Sequence, residues 1–319
     1  MSFELILPFL RPLAPLLEDP TVSEVTVNAG GRVFVEHRGE IAAVDAAHIS
    51  EKHLQVAVRN IARVLGDDIS DAQPLLDARL PDGSRVAAAL PSVSLGGTTL
   101  TIRKFQSQYF TVGELVRTGT LTERQLAVIS QAIEKRHTIL ISGGTGTGKT
   151  TLLNALAGCL PVNDRLVLIE DTAELQVTAA NLVRFEARRA VAGLPAISIR
   201  DLLRASLRHR PDRILVGEVR GGEAFDLLQA LNTGHCGTLS TIHANSAEQA
   251  LARFTSCVLQ SGIELPYAAI RQQIADGLQL LVHLERRQGR RVVTEVRRVQ
   301  HYDPMTDRYR LESAGDPHS

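Results

Sequence analysis

Residues 138–160 read TILISGGTGTGKTTLLNALAGCL, and this stretch decides the fold. It opens as a short apolar strand, crosses a glycine-rich loop and closes with apolar residues at helical spacing. The loop, Gly143-Gly144-Thr145-Gly146-Thr147-Gly148-Lys149-Thr150, fits GxxxxGK[ST] without a gap. Backbone N–H groups can wrap a phosphate only where no Cβ intrudes and where φ can turn positive, which is why glycine recurs. The helix that begins at Lys149-Thr150-Thr151 aims its first amides at the same anion. In such a loop the lysine contacts the β- and γ-phosphates and the following hydroxyl ligates Mg²⁺, so Lys149 and Thr150 are the expected centre of an ATP·Mg²⁺ site. Lysine is otherwise confined to Lys52, Lys104 and Lys135, which makes a lysine in this place more than background.

Outward from the loop, short apolar strands alternate with helices. RLVLIED follows Pro161, SIRDLLRASLRHR must end before Pro211, and then come RILVGE, GEAFDLLQALNTG and GTLSTIHA. Ser246 and Gln249 cap one more helix, and Thr122 with Gln125 caps the one preceding the loop. This order predicts an α/β domain built on a mainly parallel sheet covered on both faces. LQLLVHLERRQGRRVVTEVRRVQHYD predicts a hairpin about Gln288-Gly289. Residues 20–44 alternate apolar and polar residues around Asn28-Ala29-Gly30-Gly31, a helix follows Ser50, and two further strand patterns flank Pro81-Asp82-Gly83. The expected organisation is an α/β domain over 1–105, a linker over 106–120 with little periodicity, and the P-loop domain over 121–319.

A bound triphosphate needs a metal organiser and a group to position water, and in open parallel sheets these stand at the carboxyl ends of strands. LVLIED ends in Glu170-Asp171 and RILVGE ends in Glu218. Gly217 precedes Glu218, where many P-loop enzymes carry aspartate, so Glu218 is left to serve the metal-bound water, the attacking water or both. Glu170 and Asp171 are candidate metal organisers, or else solvated acids that end a strand. His243 lies just past TLSTI, either as a structural histidine or as a donor to the γ-phosphate.

Composition narrows the partners. Net charge is zero and the sequence pI is about 7.2, unlike a dedicated nucleic-acid binder. Aromatics make up 4% and tryptophan is absent, which argues against stacking platforms for single strands. Cys159, Cys236 and Cys257 form no zinc-spaced pair and read as reduced thiols of a cytoplasmic protein. No apolar run approaches a membrane span, and the proline-broken start FELILPFLRPLAPLL reads as a short helix packed on its own domain, with contact to a membrane surface or partner as the alternative.

Taken together, ARLPDGSRVAAALP, TIRKF, ISGGTGTGKTTLLNAL, RLVLIEDTAELQ and RPDRILVGEVRGGEAFDLLQALNTGHCGTLSTIHAN resemble the secretion (traffic) ATPases over about residues 20–300. The likeness is closest to conjugal-transfer ATPases of the TrbB type, with Flp-pilus ATPases next. That resemblance implies an N-terminal α/β domain and a RecA-like ATPase domain. It also implies a homo-oligomeric ring of six subunits at the cytoplasmic face of an inner-membrane secretion or conjugation machine, with nucleotide lodged between the domains. It makes Glu170 and Asp171 the aspartate-box acids, Glu218 the Walker B glutamate, and His235 and His243 the histidine box. Arg103 becomes the N-terminal-domain arginine that reaches the nucleotide. The zinc element of type II secretion relatives is absent. The arginine acting in trans is left open among Arg184, Arg188, Arg189, Arg200, Arg204 and Arg208. The expected activity is ATP hydrolysis with Mg²⁺ that powers conjugal transfer, type IV secretion or pilus assembly. The rival readings are a nucleic-acid-stimulated motor on the same core and a nucleotide-gated assembly component with slow turnover.

Overall fold

The computed structural model describes residues 3–37, 40–105, 110–188, 190 and 194–315, with the backbone alone at 45–47. The chain divides into two compact units, the first through Gln108 and the second from Tyr109, a boundary that falls inside the 106–120 segment.

In the first unit a helical entry ends in α1 (Ala14–Glu18). Phe3, Ile6, Leu10, Leu13 and Leu17 recur every three or four residues and are all buried in this unit's own core, so the apolar N-terminal segment is packed on its own domain. Six strands follow: β1 (Val22–Val27), β2 (Arg32–His37), β3 (Glu40–His48), β4 (Leu75–Arg79), β5 (Arg85–Ala89) and β6 (Thr99–Arg103). They form one antiparallel sheet in the order β3-β2-β1-β6-β5-β4. α2 (Glu51–Val64) starts at Ser50, whose hydroxyl accepts the His53 amide, and it buries Leu54, Ala57, Val58, Ile61 and Ala62.

The second unit opens with α3 (Val112–Arg117) inside the segment read as linker. At six residues this helix is too short to show a 3.6-residue period. Its signal is the capping box between Thr111 and Glu114. α4 (Glu123–Glu134) starts on the predicted Thr122–Gln125 capping box. Then come β7 (Ile139–Gly143), α5 (Lys149–Ala157), β8 (Leu166–Glu170), β9 (Leu182–Glu186), α6 (Ile199–Ser206), β10 (Arg213–Val219), α7 (Glu223–Asn232), β11 (Leu239–His243), α8 (Ala247–Leu259) and α9 (Tyr267–Gly277). The hairpin β12 (Leu280–Arg287) and β13 (Arg290–Asp303) turns at Gln288-Gly289, and β14 (Arg308–Ser313) closes the sheet. The order is β14-β13-β12-β7-β11-β10-β8-β9, parallel from β12 to β9 and antiparallel through β13 and β14.

Successive residues on a strand face opposite sides of the sheet. Leu140, Val167, Ile169, Ile214, Val216, Ile242 and Leu281 therefore pack on one side with α7, α8 and α9. Ile139, Ile141, Leu166, Leu168, Leu215, Leu239 and Leu280 pack on the other with α4 and α5. Both faces are covered, and the near-continuous apolar strands follow from that double burial.

Candidate functional site

β7 runs straight into the glycine loop, and the loop's shape explains its residues. Gly146 and Gly148 sit at φ of +72° and +95°, the left-handed region that side chains resist. Gly143 is needed for space: a Cβ there would lie 2.5 Å from Thr147 Oγ1 and 2.6 Å from the Leu284 carbonyl of β12. Thr147 Oγ1 donates to the Gly144 carbonyl at 2.9 Å and closes the loop. Lys149, the first residue of α5, folds back so that Nζ donates to the Gly143 and Gly144 carbonyls at 3.0 and 2.9 Å. Its ammonium is buried, and burial, only partly offset by Glu218, lowers its pKa. A buried cation whose acceptors are neutral carbonyls, set in a cradle that a single methyl would fill, suits an anion.

The carboxyl ends of β10 and β11 complete the site. In register, His243 stands opposite Gly143. A His243 ring nitrogen lies 3.3 Å from Lys149 Nζ, and its Nε2 lies 3.0 Å from Glu218 Oε1. Burial first, then the positive charges of Lys149, Arg220 and Arg253, hold the imidazole below its usual value. A neutral ring results at neutral pH. Glu218 Oε2 accepts from Arg220 at 2.8 Å, and Arg220 reaches Asp171 at 3.6 Å. Glu218 Oε1 is buried and off the line of a hydrogen bond, although it is close to Nε2. The sequence-predicted Lys149, His243 and Glu218 are thus brought together, with Asp171 tied in through Arg220.

Glu170 is placed differently. Its buried Oε1 accepts the Glu174 and Leu175 amides at 2.8 and 2.7 Å, and Oε2 faces Arg184 at 3.5 Å. Burial still outweighs those bonds and pushes its pKa up. Its side chain also lies over Gly217, where a Cβ would be 3.2 Å from Glu170 Cγ. A side chain at 217 would therefore press on Glu170. Thr150 and Thr151 follow Lys149 in the first turn of α5. Arg103 ends β6 of the first unit, exposed and paired in register with Glu24 and Arg85. His235 lies before β11, at the amino end of the sheet and away from the loop, with Nδ1 buried and without a hydrogen-bond partner.

Of the arginines left open, Arg184 donates to the Leu175 carbonyl, Arg188 to the Pro195 carbonyl, and Arg200 and Arg204 clasp Asp226. Arg208 is exposed, and Arg189 lies outside the described residues. Three residues the sequence reading passed over also reach the site. Arg220 is one, and its signal was its place two residues after Glu218. Arg291 of β13 donates through Nε to the Gly146 carbonyl at 3.1 Å. Arg253 of α8 donates to the Arg220 carbonyl at 3.3 Å. Only the folded hairpin and helix bring the last two to the loop.

Among the described residues no cluster of three or more His, Cys, Asp or Glu could hold a metal alone. Mg²⁺ binds through one or two protein oxygens plus phosphate oxygens and waters. Thr150, Asp171 and Glu218 are of the right chemistry for such a shared shell.

These features define a P-loop protein with a RecA-like secretion-ATPase fold. The chain belongs to the type II/IV secretion system protein family, whose model matches residues 10–308. It is 37% identical to the conjugal transfer protein TrbB of Rhizobium radiobacter over 91% of this chain and 87% of that one. It is 37% identical to the type IV secretion system protein PtlH of Bordetella pertussis over 89% and 92%. The Legionella pneumophila ATPase DotB has the same fold, with a TM-score of 0.65 at 20% identity over 94% of this chain and 82% of that one. Among the described residues no helix is long and apolar enough to cross a membrane.

Proposed function

We propose that this chain hydrolyses ATP with Mg²⁺ and works as a ring-forming motor for conjugal DNA transfer or type IV secretion at the cytoplasmic side of the inner membrane. The observation that carries the enzymatic reading is the meeting of Lys149, His243 and Glu218 at three strand ends beside a glycine cradle. The loop amides and Lys149 hold the β- and γ-phosphates. Thr150 and Asp171 would help hold a Mg²⁺ ion bound with nucleotide, and that ion would neutralise charge on the phosphates. Glu218 Oε1, buried and without a hydrogen-bond donor, is the acceptor for the attacking water, while Arg220 fixes the other oxygen. Neutral His243 lies between Lys149 and Glu218 and reads the terminal phosphate. Glu170, its oxygens already engaged, holds the 171–175 loop and so the position of Asp171.

The transport role is supported by the TrbB and PtlH relatives, and the ring rests on the resemblance to the secretion ATPases. The reading is tested by ATP hydrolysis across a protein concentration series, with and without DNA, against Lys149→Ala. Specific activity that rises with concentration, ignores DNA and drops at least ~100-fold in the variant is expected. Activity that survives in Lys149→Ala removes the site, and activity that appears only with DNA favours a nucleic-acid motor.

A further inference from the structure

A cleft of about 450 Å³ lies beside His243, between the Gly144-Thr145 lip of the phosphate loop and the first turns of α8. Its floor is His243, Ala244 and Asn245, and its outer wall is Gln249 and Arg253, four residues apart on one helix face. Among the described residues no carboxylate lines it. Every polar side chain that does can donate a hydrogen bond. Arg253 spends one donor on the Arg220 carbonyl, and a guanidinium has five. The floor residue His243 is the group that touches both Lys149 and Glu218.

We propose that this cleft is a holding site for inorganic phosphate after it leaves the phosphate loop, with Arg253 as the principal donor, Gln249 and Asn245 as flanking donors, and His243 at the threshold. The proposal rests on ATP hydrolysis at the Lys149 site. Cleavage separates the terminal phosphoryl group, now bonded to the water oxygen, from ADP. ADP retains the loop amides and the phosphate loses them. The cleft, which shares Gly144 and Thr145 with the loop, offers it the side-chain donors of Asn245, Gln249 and Arg253. A planar fork matches a tetrahedral oxyanion, so Arg253 can hold two phosphate oxygens at once.

The test uses the full chain saturated with MgADP, so that the loop is filled, and labelled inorganic phosphate in equilibrium dialysis. Wild type should bind phosphate, Arg253→Gln should weaken that binding about tenfold or more, and Arg253→Lys should recover part of it. In steady state, the inhibition constant for phosphate should rise by a similar factor in Arg253→Gln while KM for ATP moves less than about twofold. Phosphate binding indifferent to both substitutions overturns the proposal. So does an equal rise in KM for ATP and in the phosphate constant, because Arg253 would then grip the uncleaved triphosphate. The Lys149→Ala blank separates the two levels of failure. Turnover that survives in it removes the hydrolysis reading and this proposal together, whereas turnover that vanishes, with phosphate binding indifferent to Arg253, removes this proposal alone.

Discussion

Two glutamates end adjacent strands of one sheet, and the fold has made opposite uses of them. Glu170 closes β8 and Glu218 lies near the end of β10, the strand paired with it in register. Glu170 is enclosed, with two backbone amides on one oxygen and an arginine near the other. Glu218 is braced on one side by Arg220 and keeps its other oxygen buried, without a hydrogen bond, beside His243. A carboxylate whose acceptors are filled can hold a loop but cannot take a proton from water without breaking that loop. A carboxylate with one spare oxygen at the same end of the sheet can. Position at a strand end therefore nominates an acid, and the satisfaction of its oxygens assigns its work.

The largest effect that would break this contrast is on turnover. Glu218→Gln keeps the shape and removes the proposed base, so kcat should fall ~10²–10⁴-fold with ATP binding retained and thermal stability little changed. Rapid-quench turnover beside a nucleotide-binding titration checks it. Turnover within a few-fold of wild type would return Glu218 to the status of its neighbour.

Gly217 lies under Glu170, and placing aspartate there would set a second carboxylate against an acid already buried. Gly217→Asp should destabilise the second unit by about 3 kcal/mol, while Gly217→Ala, which only crowds Glu170 Cγ, should cost about 1 kcal/mol. Denaturant melts of the two variants give the order, and an aspartate better tolerated than alanine would mean that Glu170 is not where its contacts place it. Glu170→Ala comes next. It strips the acceptor from the Glu174 and Leu175 amides and should cost about 1–3 kcal/mol, with turnover falling only as far as Asp171 is displaced.

The sequence made Glu218, Lys149 and His243 legible because each ends or follows a short apolar run, and such runs belong to strands buried on both faces. The same rule hid β9 and β14. These are edge strands, half in solvent, and they carry Arg184 and Glu186 or Arg308, Arg310 and Glu312 among their apolar residues, so no unbroken run marks them. Arg253 and Arg291 were hidden for a different reason. Arginine supplies all but four of the basic residues, so one more arginine is not a signal by itself. Which arginines reach the loop is decided by the β12–β13 hairpin and the pitch of α8, and neither is visible as spacing along the chain. Glu170 and Glu218 looked alike for a related reason, since the amides that fill Glu170 belong to the irregular segment after β8.

The smallest effect is a pH dependence, and it tests the enclosure of Glu170 directly. Burial raises its folded pKa above the usual value near 4.5, and the Leu175 and Glu174 amides only partly oppose that. Glu51 in the first unit shows the other balance: burial there also pushes up, but the Thr98 hydroxyl and amide and the Gln55 amide outweigh it, and the pKa falls. For a raised acid the folded state binds more protons than the unfolded state between the two pKa values. Stability from Glu170 is therefore fully present below the unfolded value and is lost as pH rises through the folded one. Glu170→Gln cannot titrate, so wild type should gain stability over the variant as pH falls through the window above 4.5, then hold a constant difference below it. Paired thermal melts of the two proteins cancel every other titrating group. A difference that shrinks with acid would mean that the amides win, that Glu170 is kept as a carboxylate, and that its enclosure resembles that of Glu51.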